Sequence, residues 1–260
     1  MDYAKQRRPD PRIAARIEAA LADAETVLNV GAGAGSYEPG RRKVVAIEPS
    51  AAMIAQRPAG SAPVVVASAE ELPFDDGSFD AAIAVLTVHH WRDQTRGLRE
   101  MRRVARGPVV ILTFDPAQPG CWLNDYFPAL RALDEAQMPP MELYGEVIGR
   151  VEVAPVAVPW DCHDGFLYAY WRRPEAYLDP HIRTGISSFW KMDDVELGVA
   201  RLGADLASGE WRRRQAGLLG LDELDVGYRL VRSGADRETR PPANPPQLPG
   251  AQRGTDGAQR

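Results

Sequence analysis

Three glycines at alternate positions, Gly31, Gly33 and Gly35, follow directly on an apolar run, and an acid, Glu48, stands 17 residues after the first of them. Glycine lets a backbone turn sharply and approach a ligand closely. An acid at the end of the next apolar run can accept hydrogen bonds from both hydroxyls of a ribose. The pair therefore points to a nucleoside-containing ligand without a 2′-phosphate. A dinucleotide fingerprint needs glycine at its first, third and sixth positions, and here the sixth is Ser36. Only eight residues separate Gly35 from Val44, which leaves little helix N-terminus to hold a pyrophosphate. No phosphate-loop motif ending in Gly-Lys-Ser or Gly-Lys-Thr occurs. The spacing predicts a site for a nucleoside without phosphates; a nicotinamide-dependent oxidoreductase is the weaker alternative.

Other residues could move protons. His89 and His90 follow a fourth apolar run, and His163 lies between Asp161 and Asp164 in an aromatic setting. A histidine with acids nearby can be a tuned base. The plainer readings are a packed loop histidine for the first pair and a polar turn for the second. Arg102, Arg103, Arg172, Arg173 and Arg212–Arg214 read as solvated faces, although Arg172 or Arg173, beside Tyr170 and Trp171, could pair with an acidic substrate. The two cysteines, Cys121 and Cys162, read as ordinary residues, and with the four histidines they make no zinc spacing.

The elements that must position these residues follow from periodicity. Asp10 is an N-cap and Pro11 takes the first helical position, after which Ile13, Ile17 and Leu21 recur at four-residue spacing. Strands are predicted at 26–30, 44–47, 64–67, 79–85 and 109–114, with helices at 51–57 and 93–106 between them. Alternation of this kind makes a mostly parallel sheet with helices on both faces, whose ligands sit beyond the strand carboxyl ends. Further on, a helix at 122–137 is broken near Pro128, a sixth strand spans 151–158 with Pro155 inside it, a helical stripe begins at Val195, and a last strand spans 224–231. Residues 120–190 hold 12 of the 20 aromatics, against five or six for an even spread, so this stretch is either extra core or the wall of a substrate pocket.

At this point the chain resembles a known family. The run from Val27 to Gly35 is similar to the first motif of class I S-adenosylmethionine-dependent methyltransferases, and Val45-Ala46-Ile47-Glu48-Pro49-Ser50 resembles their second strand with its ribose-binding acid. Ser68-Ala69-Glu70-Glu71-Leu72-Pro73-Phe74, then Asp76-Gly77-Ser78-Phe79-Asp80, then Val88-His89-His90-Trp91 and Arg99-Glu100-Met101 follow in the order of the small-molecule subgroup. The resemblance covers residues 27–114. It implies a Rossmann-like α/β fold of about seven strands with a helical, aromatic cap. It also implies S-adenosyl-L-methionine as cofactor, held by Gly31, Ala32, Gly33, Gly35, Glu48, Pro49, Ser68, Ala69, Glu70 and Leu86. The reaction implied is in-line transfer of a methyl group to an O or N atom of a small-molecule acceptor. His89, His90 and His163 are the candidate bases, and Tyr3 could close over the site as N-terminal tyrosines do in some relatives. Ser68 stands where the subgroup usually has Asp, and Arg106-Gly107-Pro108 replaces its usual turn before the fifth strand. A non-catalytic cofactor-binding module is the competing reading.

The formal charge of −5 argues against a dedicated nucleic-acid binder. No stretch approaches ~18 apolar residues, so no membrane span is expected. Residues 1–10 lack the apolar core of a signal peptide, and two cysteines fit a cytoplasmic location. The expected organisation is an arm at 1–9 and a single domain at 10–236. Within that domain the cofactor part is 10–115 and the cap 116–220. A disordered tail at 237–260, with five prolines and three glycines, completes it.

Overall fold

Five parallel strands lie side by side in the computed structural model, which describes residues 6–234. They are β1 (Thr26–Val30), β2 (Lys43–Ile47), β3 (Val64–Val65), β4 (Ala81–Val85) and β5 (Val109–Phe114). β6 (Val151–Pro155) and β9 (Tyr228–Ser233) complete a seven-stranded sheet in the order β3-β2-β1-β4-β5-β9-β6, with β9 antiparallel to both its neighbours. β7 (Val158–Pro159) and β8 (Glu223–Leu224) form a separate two-stranded ribbon. The helices are α1 (Pro11–Ala20), α2 (Ala51–Ile54), α3 (Gln94–Val104), α4 (Leu123–Tyr126), α5 (Ala129–Gln137), α6 (Met141–Ile148), α7 (Pro180–Thr184), α8 (Val195–Ala207) and α9 (Glu210–Arg214). The expected Rossmann-like sheet is present.

Successive strand residues leave opposite faces, and the sheet is covered on both. Val27, Ala81, Ile83, Val110 and Leu112 pack with Ile13 and Ile17 of α1 and with the aromatic second half. Leu28, Val30, Ala82 and Ile111 pack with Leu98, Met101 and Val104 of α3 and with Tyr144 and Ile148 of α6. Burial on both faces is why these strands read as continuous apolar runs rather than alternating ones.

Several boundaries differ from expectation for local reasons. The helix predicted at 51–57 stops at Ile54. The strand predicted at 151–158 ends at Pro155, on a sheet edge where proline is tolerated. The strand predicted at 224–231 is divided: Glu223 and Leu224 pair with β7, and the sheet takes Tyr228–Ser233. The short helix expected between β1 and β2 is replaced by turns. Those turns are held by a buried ion pair, Arg57 Nη2 to Glu38 Oε1 at 2.5 Å, and Glu38 also accepts the Ala62 N–H at 3.0 Å. The helix at 122–137 breaks at Pro128 as predicted, and α6 is an addition the periodicity did not show.

The start of the described chain is tied to the second half. Asp10 is fully buried; it accepts hydrogen bonds from Arg12 N at 2.9 Å and from His163 N at 3.0 Å. Arg7 pairs with the fully buried Asp164, Nε to Oδ1 at 2.8 Å, and Arg12 pairs with Asp161 at 2.7 Å. The polar cluster at 161–164 is therefore a clamp on α1. Tyr3 and the tail at 237–260 lie outside the described residues. Burial alone would raise the Asp10 carboxyl, but the Arg12 side chain and the His163 and Arg12 N–H groups hold it well below the usual range. A lowered folded pKa contributes stability above the ordinary value of 3.8 that is lost as pH falls below it. Asp10→Ala should cost about 2 kcal/mol of unfolding free energy at neutral pH, and urea titrations should show the gap to the parent chain narrowing as the solution is acidified.

Candidate active site

Between β1 and β4 the strand order reverses, and at such a point the loops beyond the strand ends diverge and leave a crevice. A cavity of about 780 Å³ lies there, inside the range of ~300–1,000 Å³ that small-molecule sites occupy. Gly31, Ala32 and Gly33 line it from the turn after β1, Glu48 and Pro49 from the end of β2, Ser68, Ala69 and Glu70 from the loop after β3, and Leu86 from the end of β4. Gly35 is the expected residue that does not line it. With φ +92 and Arg57 at its back, Gly35 shapes the turn instead.

The two lining glycines differ. A Cβ on Gly31 would stand 2.2 Å from Thr87 Oγ1, so the loop could not lie against the β4 turn. A Cβ on Gly33 would meet no protein atom within 4 Å and would occupy space open to a ligand. Both have positive φ, +70 and +54. Glu48 fixes this cradle. Its Oε2 accepts the Gly33 N–H at 2.8 Å and its Oε1 the Ser50 N–H at 2.9 Å, while the side chain stays at the cavity wall. Each carboxylate oxygen keeps further acceptor capacity.

Glu70 has a different occupation. Its Oε1 accepts the N–H groups of Arg92 at 2.8 Å and Asp93 at 3.2 Å. Burial raises its proton affinity, but bonds from the backbone of Glu70, Asp93 and Arg92 and from the Ser68 hydroxyl outweigh that and lower it. It clamps the loop before α3 to the loop after β3, so the acid next to Ser68 is largely consumed by structure.

Two lining residues escaped the sequence reading. Asn29, 1% exposed on β1, leaves its Nδ2 without a hydrogen-bond partner, and Trp91 leaves its Nε1 likewise. Both line the cavity. Buried donors are rarely left unpaired, so both suit a ligand's acceptor atoms. The available signal was Asn29 itself, a lone amide inside an apolar strand. Arg7 and the half-exposed Trp190 also line the cavity.

His89 and His90 sit on the turn 88–90 after β4, ring centroids 4.0 Å apart. His90 borders both this cavity and a recess of about 60 Å³ behind it; His89 borders only the recess. Burial, with His90, Lys191 and Arg7 adding, pushes the His89 imidazole well below its usual range. His90 keeps an exposed edge, and surrounding protein with Lys191 and Arg7 lowers it too. His90 is thus a neutral imidazole at the junction. His163 is exposed and lines neither space; only its backbone N–H is engaged, on Asp10. Arg172 lies over Trp160, and Arg173 donates to the Cys162 and Ala169 carbonyls, so both serve the cap.

The aromatic stretch divides between core and the lining of a recess. Trp122, Trp171 and Tyr177 are core, with Trp122 Nε1 on the Trp171 carbonyl at 2.6 Å and Trp171 Nε1 on that of Val158 at 2.9 Å. Phe166 and Tyr168, with Phe114 and Tyr228 from the sheet, wall the recess. Among the described residues no group of three or more His, Cys, Asp or Glu is placed to hold a metal ion, and no helix is long and apolar enough to cross a membrane. Gly31→Ala combines a clash with a left-handed φ and should cost ~3 kcal/mol or more in a denaturant titration, whereas Gly33→Ala, with strain alone, should cost ~1 kcal/mol.

Comparison with known proteins agrees with this geometry. Residues 28–111 match the methyltransferase domain family. A putative methyltransferase from an antibiotic biosynthesis pathway of Anabaena variabilis ATCC 29413 is 36% identical, with a TM-score of 0.82 over 88% of this chain and 99% of that one. A ubiquinone/menaquinone biosynthesis C-methyltransferase of Geobacter sp. strain M21 is 37% identical over 111 residues, 36% of this chain and 47% of the relative. A demethylmenaquinone methyltransferase of Mycolicibacterium gilvum is 33% identical over 121 residues, 44% of this chain and 53% of the relative. The chain thus spans about half the length of these two curated relatives. With the sheet order, the glycine turn and the acid after β2 in place, the chain belongs to the class I S-adenosylmethionine-dependent methyltransferases.

Proposed function

We propose that the chain transfers a methyl group from S-adenosylmethionine to an oxygen or nitrogen of a small-molecule acceptor. The observation that carries this reading is the juxtaposition of the cavity at the strand-order reversal, with its acid and glycine cradle, and an aromatic recess that meets it at His90. The bound cofactor supplies an electrophilic methyl carbon. Glu48 accepts hydrogen bonds from the ribose hydroxyls, and Gly33 leaves the room that the ligand's approach requires. Ala69 and Ser68 flank the adenine. Asn29 and Trp91 offer donors to the polar atoms of the amino-acid end.

Holding acceptor and donor in line supplies most of the rate, since effective molarities of ~10⁵ M or more correspond to roughly 7 kcal/mol of barrier. A hydroxyl or ammonium acceptor must also lose a proton, and neutral His90 is placed to take it. Such a base is worth about 10²–10⁴-fold. The names of the Geobacter and Mycolicibacterium relatives favour a second reading, methylation at a carbon of an electron-rich ring. Turnover with methyl-labelled cofactor, followed by carbon NMR of the product, distinguishes a methyl on oxygen or nitrogen from one on carbon.

Calorimetry should show one-site binding of S-adenosylmethionine and S-adenosylhomocysteine to the parent chain. Glu48→Ala should abolish it, and Gly33→Ala should weaken it by tenfold or more while the fold persists, roughly the loss of one good contact. Unchanged affinity in Glu48→Ala would remove the ribose assignment. His90→Ala should lose ~100-fold in turnover with cofactor affinity kept, and His163→Ala should leave both within about twofold.

A further inference from the structure

We infer that the aromatic recess is the end subsite for the acceptor, where Asp134 accepts a hydrogen bond from a ring hydroxyl, so that the chain selects phenol-type molecules. This rests on the methyl-transfer reading and extends it to the class of acceptor.

Asp134 lies on α5, 6% exposed, and lines the recess. Its Oδ2 faces the Tyr168 hydroxyl at 3.2 Å, and that same hydroxyl lies 3.0 Å from Asn124 Oδ1. One hydroxyl proton is thus shared between two acceptors, which leaves the carboxylate under-supplied. Among the described residues no cation pairs with Asp134, and no hydrogen bond reaches its Oδ1. A carboxylate buried among Phe114, Phe166 and Tyr228 without a countercharge is costly, and burial lifts it to about 6. The fold uses this acid only to share the proton of the Tyr168 hydroxyl. It is the arrangement expected of an acceptor group awaiting a donor.

Size and charge narrow the donor. The recess holds about 60 Å³, against ~150 Å³ for a cavity that encloses benzene. It therefore takes the leading hydroxyl and edge of a ring. The body of the ring lies where recess and main cavity share Leu86, His90 and Ser187. Arg7, paired with Asp164, borders both spaces, and after burial it and Lys191 are what lower the proton affinity of both histidines. The same burial and charges that disfavour a protonated imidazole disfavour a bound ammonium, and they do not penalise a neutral hydroxyl. Anchoring one hydroxyl at Asp134 turns the far side of the ring toward the cofactor cavity.

The test is calorimetry on the full chain saturated with S-adenosylhomocysteine, using hydroquinone, p-xylene and benzylamine as probes. Hydroquinone should bind at least ~10-fold tighter than p-xylene, a difference typical of one buried polar contact. Asp134→Asn should lower hydroquinone affinity by ~10-fold or more, leave p-xylene unchanged, and melt no earlier than the parent chain at about pH 7.5, because it removes a buried charge. Hydroquinone affinity should rise between about pH 5 and about pH 7 as Asp134 ionises. Of the other groups facing the recess, Tyr168 and Tyr228 are held protonated, Arg7 stays charged, and burial keeps His89 well below its usual range; His90 is lowered too, and repeating the titration in His90→Ala separates its proton from that of Asp134. Tyr168→Phe, which frees the carboxylate, should preserve the preference for hydroquinone. Equal binding of hydroquinone and p-xylene, a preference for benzylamine, or no change in Asp134→Asn would overturn the inference. Failure of the parent chain to bind S-adenosylhomocysteine would instead overturn the methyl-transfer reading itself.

Discussion

The carboxylate of Glu48 joins two things that a nucleoside site needs and that the chain makes separately. The turn after β1 has no helix behind it to hold its shape; between β1 and β2 there are only turns. Glu48 supplies what the helix would have supplied, accepting the Gly33 N–H on one oxygen and the Ser50 N–H on the other. The buried Arg57–Glu38 pair braces the same turn from behind. The acid that would read the ribose therefore also sets the cradle that the ribose enters.

A second constraint acts at the other end of the cavity. Leu86 leaves β4 at φ +51, a conformation disfavoured for a residue with a side chain. That turn sends Thr87 under Gly31 and presents His89 and His90 to the recess. Thr87 thus fills the space that a side chain at position 31 would need, and the β1 and β4 loops pack against each other only because that position is glycine. The clamp formed by Asp10, Asp161 and Asp164 then fixes α1 to the second half and brings Arg7 to the cavity wall.

The aromatic half shows how core and site share one set of side chains. Trp122, Trp171 and Tyr177 interlock through edge-on contacts and indole hydrogen bonds to backbone carbonyls. Tyr168 and Phe166 continue that core up to the recess and end it there. That core positions the recess walls, and Asp134 is set among them with only the shared Tyr168 hydroxyl for a partner.

Much of this was legible in the chain alone. Local signals determine α1, whose cap and proline depend only on neighbouring residues, and the strands up to Phe114, whose apolar runs are long enough to read. The glycine turn and Glu48 were legible because a close backbone approach needs glycine at a fixed distance from the strand end. The fold family follows from those motifs in order. Only tertiary structure decided which polar residues face the ligand. His163 looks like a base among acids, but its neighbours Asp161 and Asp164 hold arginines 149 and 157 residues earlier, and its own N–H holds Asp10. Glu70 looks available, yet its carboxylate is used by backbone groups more than 20 residues away. Asn29 is marked in the sequence only as a lone amide inside an apolar strand, and Asp134 not at all; what singles both out is an incomplete set of partners after everything else has packed. Spacing reports what a residue can do, and burial with its long-range hydrogen bonds decides which of those options remains open.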